Sequence, residues 1–228
     1  MTSNSIALDS LHRFIDALAP TITELLTMAS RLADQPASLT QATSAHLKDA
    51  AERLLTIQTE FKTMVALESG AIVPTPQTVR LQTLCQHVVD LLSDHALDLG
   101  IELIMQVPAA MTVHVDPAMC EQVIRRLVSN ALRYNQPGGH ACLSARLMRS
   151  GAVVLRVTDS GVGMSRAHLD VLFRPFERLG KELCLLDGTG MGLAIAQRMA
   201  LCMDAQLTVR SRPGRGSIFR LHLPNAYP

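Results

Sequence analysis

The chain has 228 residues, a formal net charge of +1, 48% apolar residues, 3% aromatics and no tryptophan. So even a charge balance excludes broad electrostatic recruitment of nucleic acid or anionic lipid, and no apolar run approaches the ~20 residues that span a bilayer. Five cysteines without CxxC pairing speak against a zinc or disulfide framework and fit reduced, buried thiols in a cytoplasmic protein. The N-terminus lacks a signal-peptide pattern.

Apolar residues first recur at Leu8, Leu11, Ile15, Leu18, Ile22, Leu25, Ala29 and Leu32. Alternating steps of three and four make the seam of a helix bundle. A break at Asp34-Gln35-Pro36-Ala37-Ser38 follows, and the pattern resumes at Leu47, Ala50, Leu54, Ile57, Phe61 and Met64. Two helices with a short polar connection predict an antiparallel hairpin. One stripe per helix is buried best when two copies pair as a four-helix bundle, so a homodimer through the hairpin is expected. Pro20 lies inside the first helix, where it deletes one backbone hydrogen bond and bends the axis.

Val73-Pro74-Thr75-Pro76 disfavours helix and reads as a linker, dividing the chain into 1–72 and 73–228. A helix is predicted over 81–99, then strands near 101–106 and 112–115. Asp116-Pro117 is a helix start, with an N-cap acceptor ahead of proline at the first helical position. That helix runs to about Tyr134, and strands follow near 141–149 and 152–159. A glycine-rich stretch at 188–192 opens a helix to about Met203, and strands near 206–212 and 217–223 end the pattern. Arg210, Arg212, Arg215 and Arg220 cluster there and read as a solvated strand-and-turn face. Helices grouped with a mixed, largely antiparallel sheet predict an α+β fold, a two-layer α/β sandwich after the hairpin.

Four short stretches carry candidate chemistry. Asn130, on a helix, offers a carbonyl oxygen to a hard cation such as Mg2+, and Arg133 lies on the same face within reach of phosphate. Surface decoration is the plainer reading of that pair alone. Asp159 ends an apolar strand and can accept a hydrogen bond from an exocyclic amine, with Gly161 and Gly163 letting backbone pass close to a flat ring. An ordinary strand-ending turn has the same composition. Phe173 and Phe176 are two of only five phenylalanines and suit anchoring of the segment that follows them to the core. Gly188, Thr189, Gly190, Met191, Gly192 and Leu193 form a helix mouth, where free N–H groups and the helix dipole attract anions. Spacing and position exclude a dinucleotide fingerprint, and the lack of a following Gly-Lys-Ser/Thr excludes a P-loop.

In this order the four stretches resemble the N, G1, F and G2 boxes of sensor histidine kinases, within the ATPase superfamily that also holds gyrase, Hsp90 and MutL. The hairpin resembles the dimerisation and phosphotransfer domain of the same kinases, so the likeness covers about residues 8–223. It implies a nucleotide fold of the Bergerat type that binds ATP and Mg2+. Asn130 would bind the metal, Arg133 would contact phosphate from the position usually held by lysine, and Tyr134 would lie beside the nucleotide. Asp159 would bond the adenine amine, Gly161 and Gly163 would shape that wall, and Gly188, Gly190 and Gly192 would surround the phosphates. Residues 173–187 would form the ATP lid, with Phe173 and Phe176 at its base.

Two positions depart from the pattern. Aligned on Ala19-Pro20, the acceptor histidine is replaced by Ile15, with Asp16 at the acidic position and Leu18 where a basic residue is usual. Isoleucine has no nucleophilic atom. His12, one turn earlier, is the nearest candidate phosphoacceptor, and a solvent-facing helix histidine is its plainer reading. Arg126 replaces the asparagine expected one turn before Asn130, and could pair with phosphate or repel Mg2+. The expected function is a kinase passing phosphate to a histidine and on to a response regulator. The alternative is a degenerate, non-phosphorylating dimeric regulator or scaffold for a response regulator or another histidine kinase. Neither reading involves nucleic acid or membrane contact.

Overall fold

The computed structural model describes Leu18, residues 21–23, 25–27, 41–176 and 189–224. Helical backbone is present at Leu18, 21–23 and 25–27; the remainder of the first predicted helix, including His12, Ile15, Asp16 and Pro20, lies outside the described residues. Helix α1 (Gln41–Glu68) begins six residues before the apolar pattern resumes at Leu47. Irregular backbone at 71–76 leads into β1 (Gln77–Arg80), which pairs antiparallel with β3 (Thr112–Val115). This four-residue strand was not anticipated, because three of the four residues of QTVR are exposed and no apolar alternation marks it. Between them lie α2 (Leu81–Asp98) and β2 (Glu102–Gln106).

Helix α3 (Pro117–Arg133) forms where Asp116 and Pro117 predict it, and the Asp116 side chain accepts from Met119 N–H at 2.9 Å. Its buried residues Met119, Cys120, Val123, Ile124, Leu127, Val128, Ala131 and Leu132 make one helical face. After it come β4 (His140–Leu147), β5 (Val153–Asp159), α4 (Arg166–Val171), α5 (Gly192–Cys202), β6 (Gln206–Ser211) and β7 (Ser217–Leu223). The short α4 was also not anticipated. Ser165 caps it, but none of its residues is buried, so no apolar rhythm marks it.

The main sheet has the order β2-β4-β5-β7-β6, with β2 and β4 parallel and the other pairs antiparallel. It is the expected mixed sheet of an α+β sandwich. Leu143, Leu155, Val157, Phe219 and Leu221 share one core with Ile124 and Leu127 of α3 and with Ile195 and Met199 of α5. Met64 and Leu67 of α1 belong to that same core. The C-terminal end of α1 therefore packs on the sandwich. Cys85 and Cys120 are buried, which pushes both thiols up to about 12 and leaves them inert at neutral pH.

Candidate functional site

Side chains at Val153, Leu155, Val157 and Asp159 alternate onto the buried face of β5, so strand geometry delivers a carboxylate to the end of an apolar row. Asp159 is 6% exposed. Its Oδ1 accepts from the backbone N–H of Gly161 at 3.0 Å and of Ser217 at 3.1 Å. Burial pushes its pKa above the ordinary carboxylate value, against the opposing pull of those bonds and of His140. Both bonds fall on one oxygen.

The glycines after Asp159 have a use that the sequence does not reveal. A Cβ on Gly161 would overlap the Tyr134 carbonyl oxygen, and one on Gly163, at φ +65°, would overlap the Arg212 carbonyl oxygen. Val162 N–H donates to the Tyr134 carbonyl at 3.1 Å, and Gly214 N–H to the Val162 carbonyl at 2.7 Å. The loop is therefore held between the end of α3 and the β6–β7 turn by backbone contacts, and that close approach requires glycine. Ser217 and the turn before it were absent from the predicted site, since a strand residue far along the chain carries no local signal.

Along α3, Arg126, Asn130 and Tyr134 follow at intervals of four, roughly 12 Å from first to last at 1.5 Å per residue. At one end the Tyr134 carbonyl meets the Gly161 loop; at the other, Arg126 Nη1 lies 3.7 Å from where a Cβ on Gly192 would sit. Asn130 lies between. It is half-buried, and its side chain makes no hydrogen bond among the described residues. Arg133 is exposed at the last turn.

Helix α5 begins at Gly192, and Met191 N–H donates to Thr189 Oγ1 at 3.2 Å. Met191 is fully buried, while Thr189, Gly190, Gly192 and Leu193 are partly exposed. Gly188 and residues 177–187 lie outside the described residues. Phe173 and Phe176 both pack on the core, and Phe176 N–H donates to the Gly190 carbonyl at 3.1 Å. The base of the predicted lid at Phe176 is thus tied to the mouth of α5.

A further residue enters from α1. Glu60 Oε1 lies 2.6 Å from Arg126 Nη1, and its Oε2 accepts from Thr189 Oγ1. Among the described residues, Arg126 Nε is buried without a hydrogen-bond partner. Nothing local in the sequence marks Glu60, since its partners lie 66 and 129 residues away. Among the described residues no group of three or more His, Cys, Asp or Glu could hold a metal, and no helix is long and apolar enough to cross a membrane.

Residues 115–227 match the family described as histidine kinase-, DNA gyrase B-, and HSP90-like ATPase. The adaptive-response sensory kinase SasA of Synechococcus elongatus is 31% identical over 150 residues, covering 65% of this chain and 38% of SasA. The sensor protein TorS of Escherichia coli is 33% identical over 206 residues, covering 88% of this chain and 22% of TorS. The chain thus spans well under half of these relatives. Two solved structures share the fold: Acinetobacter baumannii histidine kinase AdeS, with a TM-score of 0.78 at 20% identity over 92% of this chain and 97% of that one, and histidine kinase ThkA, solved in complex with the response regulator protein TrrA, with a TM-score of 0.81 at 18% identity over 97% of this chain and 63% of that one.

Proposed function

We propose, from the match of residues 115–227 to the histidine kinase-, DNA gyrase B- and HSP90-like ATPase family, that the chain is the ATP-binding core of a two-component histidine kinase. The γ-phosphoryl group of Mg·ATP passes to a histidine and then to an aspartate on a response regulator. The observation that carries this reading is the reach of α3, whose Tyr134 end touches the loop after Asp159 and whose Arg126 end touches the mouth of α5. Asp159 takes the adenine amine, and the α5 N-terminus with Thr189, Gly190 and Gly192 receives the phosphates. The amide of Asn130, without a hydrogen bond among the described residues, fits Mg2+, which accepts few protein ligands and keeps water and phosphate oxygens for the rest. Bound magnesium neutralises triphosphate charge. The protein itself mainly positions groups, with Arg133 approaching from the solvent side.

The division at 72 and 73 and homodimerisation through the helical hairpin belong to the same proposal. Leu26 and Leu55, 63% and 62% exposed, are apolar surface that a second copy would cover. The test is calorimetric titration with Mg·ATP, followed by incubation with γ-labelled ATP. Micromolar binding and acid-labile label that is lost in His12→Ala are the expected results; absence of nucleotide binding overturns the reading.

Ile15 favours a second reading, because the usual acceptor position has no nucleophile. Here the chain binds ATP without phosphorylating itself and regulates or scaffolds a response regulator or another kinase. Nucleotide binding without label on the protein would select it.

A further inference from the structure

We propose that Glu60 is a built-in competitor of the nucleotide phosphates, so that ATP binding and the grip of α1 on the sandwich oppose one another. The inference rests on the reading of the α5 mouth as the phosphate end of an ATP site. Its own evidence is the placement of a carboxylate there. Two positive features converge at that point, the N-terminus of α5 and the guanidinium of Arg126, whose Nη1 lies 3.7 Å from where a Gly192 Cβ would sit. The anion between α1 and that mouth is Glu60. One of its oxygens is 2.6 Å from Arg126 Nη1 and the other accepts from Thr189 Oγ1. A carboxylate with both oxygens engaged by a guanidinium and a hydroxyl satisfies the partners that a phosphate would.

The contact is well placed to act as a latch. The Arg126 and Glu60 side chains are only 17% and 14% exposed, so solvent screens the pair weakly. Arg126 Nε has no acceptor among the described residues, which leaves the guanidinium capacity for a ligand with more oxygens than a carboxylate. Glu60 lies one turn before Met64 on α1, whose side chain is in the sandwich core, and two turns before Glu68, which lies 3.4 Å from Arg198 of α5. Displacing the Glu60 carboxylate therefore loosens the end of α1 that touches α5. Two ligands that share one receptor group antagonise each other reciprocally.

The experiment measures Mg·ATP affinity of the full chain by calorimetry for the unmutated protein, Glu60→Gln and Glu60→Ala. Removing the competing charge should tighten ATP binding about fivefold or more. Unchanged or weaker binding in both variants, with the unmutated chain still binding ATP, overturns the competition while leaving the proposed function intact. No binding by any of the three overturns the underlying reading instead. A second arm needs no substitution: saturating ATP should raise backbone hydrogen exchange across residues 57–68. Exchange there that stays constant or slows on ATP addition also overturns the proposal.

Discussion

Two backbone amides converge on Oδ1 of Asp159, yet burial still raises its pKa. The folded chain therefore holds this proton more tightly than the unfolded chain does. The stability contributed by the protonated group is complete below its ordinary value of 3.8 and is lost as pH rises through the folded value. Asp159→Asn should consequently be more stable than the parent at pH 7, with the difference vanishing in acid, as pH-dependent urea unfolding would show. The same change removes an ionised acceptor, so ATP affinity should fall about tenfold or more. A variant that gains stability while losing ligand is the pattern expected of a functional carboxylate; loss of both would make Asp159 purely structural. Asp116 is the opposite case. Burial opposes its charge, but bonds from Thr75, Met119 and Ala118 prevail and lower its pKa, which suits a cap tying the 73–76 stretch to α3.

Among the elements, the outer face of the main sheet holds an unusual pairing. Arg156 on β5 and Arg220 on β7 are direct cross-strand neighbours. Burial, then Arg210 and Arg156, lower the Arg220 pKa, and Arg156 Nε is buried without a partner. Like charges directly opposite destabilise a sheet. Arg220→Glu should therefore stabilise the chain by about 0.5–1 kcal/mol in urea unfolding; a loss of stability would show that the three arginines are better accommodated than their charges suggest. Element by element, legibility followed burial. The main helices and the alternating strands carry strong apolar rhythms and were readable in the sequence, as was the Asp116 cap. The unburied α4 and the largely exposed β1 were not, because neither carries a buried apolar rhythm. In the proposed site, Asp159 and the α5 mouth are the parts that local chemistry in the sequence singles out. The backbone packing of Gly161 and Gly163 was not, since it depends on segments that only the fold brings near.

Across the whole molecule, a boundary at 72 and 73 separates two sequence patterns, yet the sandwich core reaches across it to Met64 and Leu67. Met64, only 3% exposed, is buried with the residues of α5 and the sheet. Met64→Ala should cost about 2–4 kcal/mol and lower the cooperative unfolding midpoint of the sandwich. An unchanged sandwich transition would mean that α1 and the sandwich unfold independently. Glu60 escaped sequence reading for the same reason, because its partners are set by this packing and not by any spacing along the chain. The bond from Phe176 to Gly190 has a consequence of its own. It joins exit and re-entry at one spot, so closure of the chain between them is anchored by the backbone itself, and in general each doubling of a connecting loop's length costs only about 0.6 kcal/mol of closure entropy.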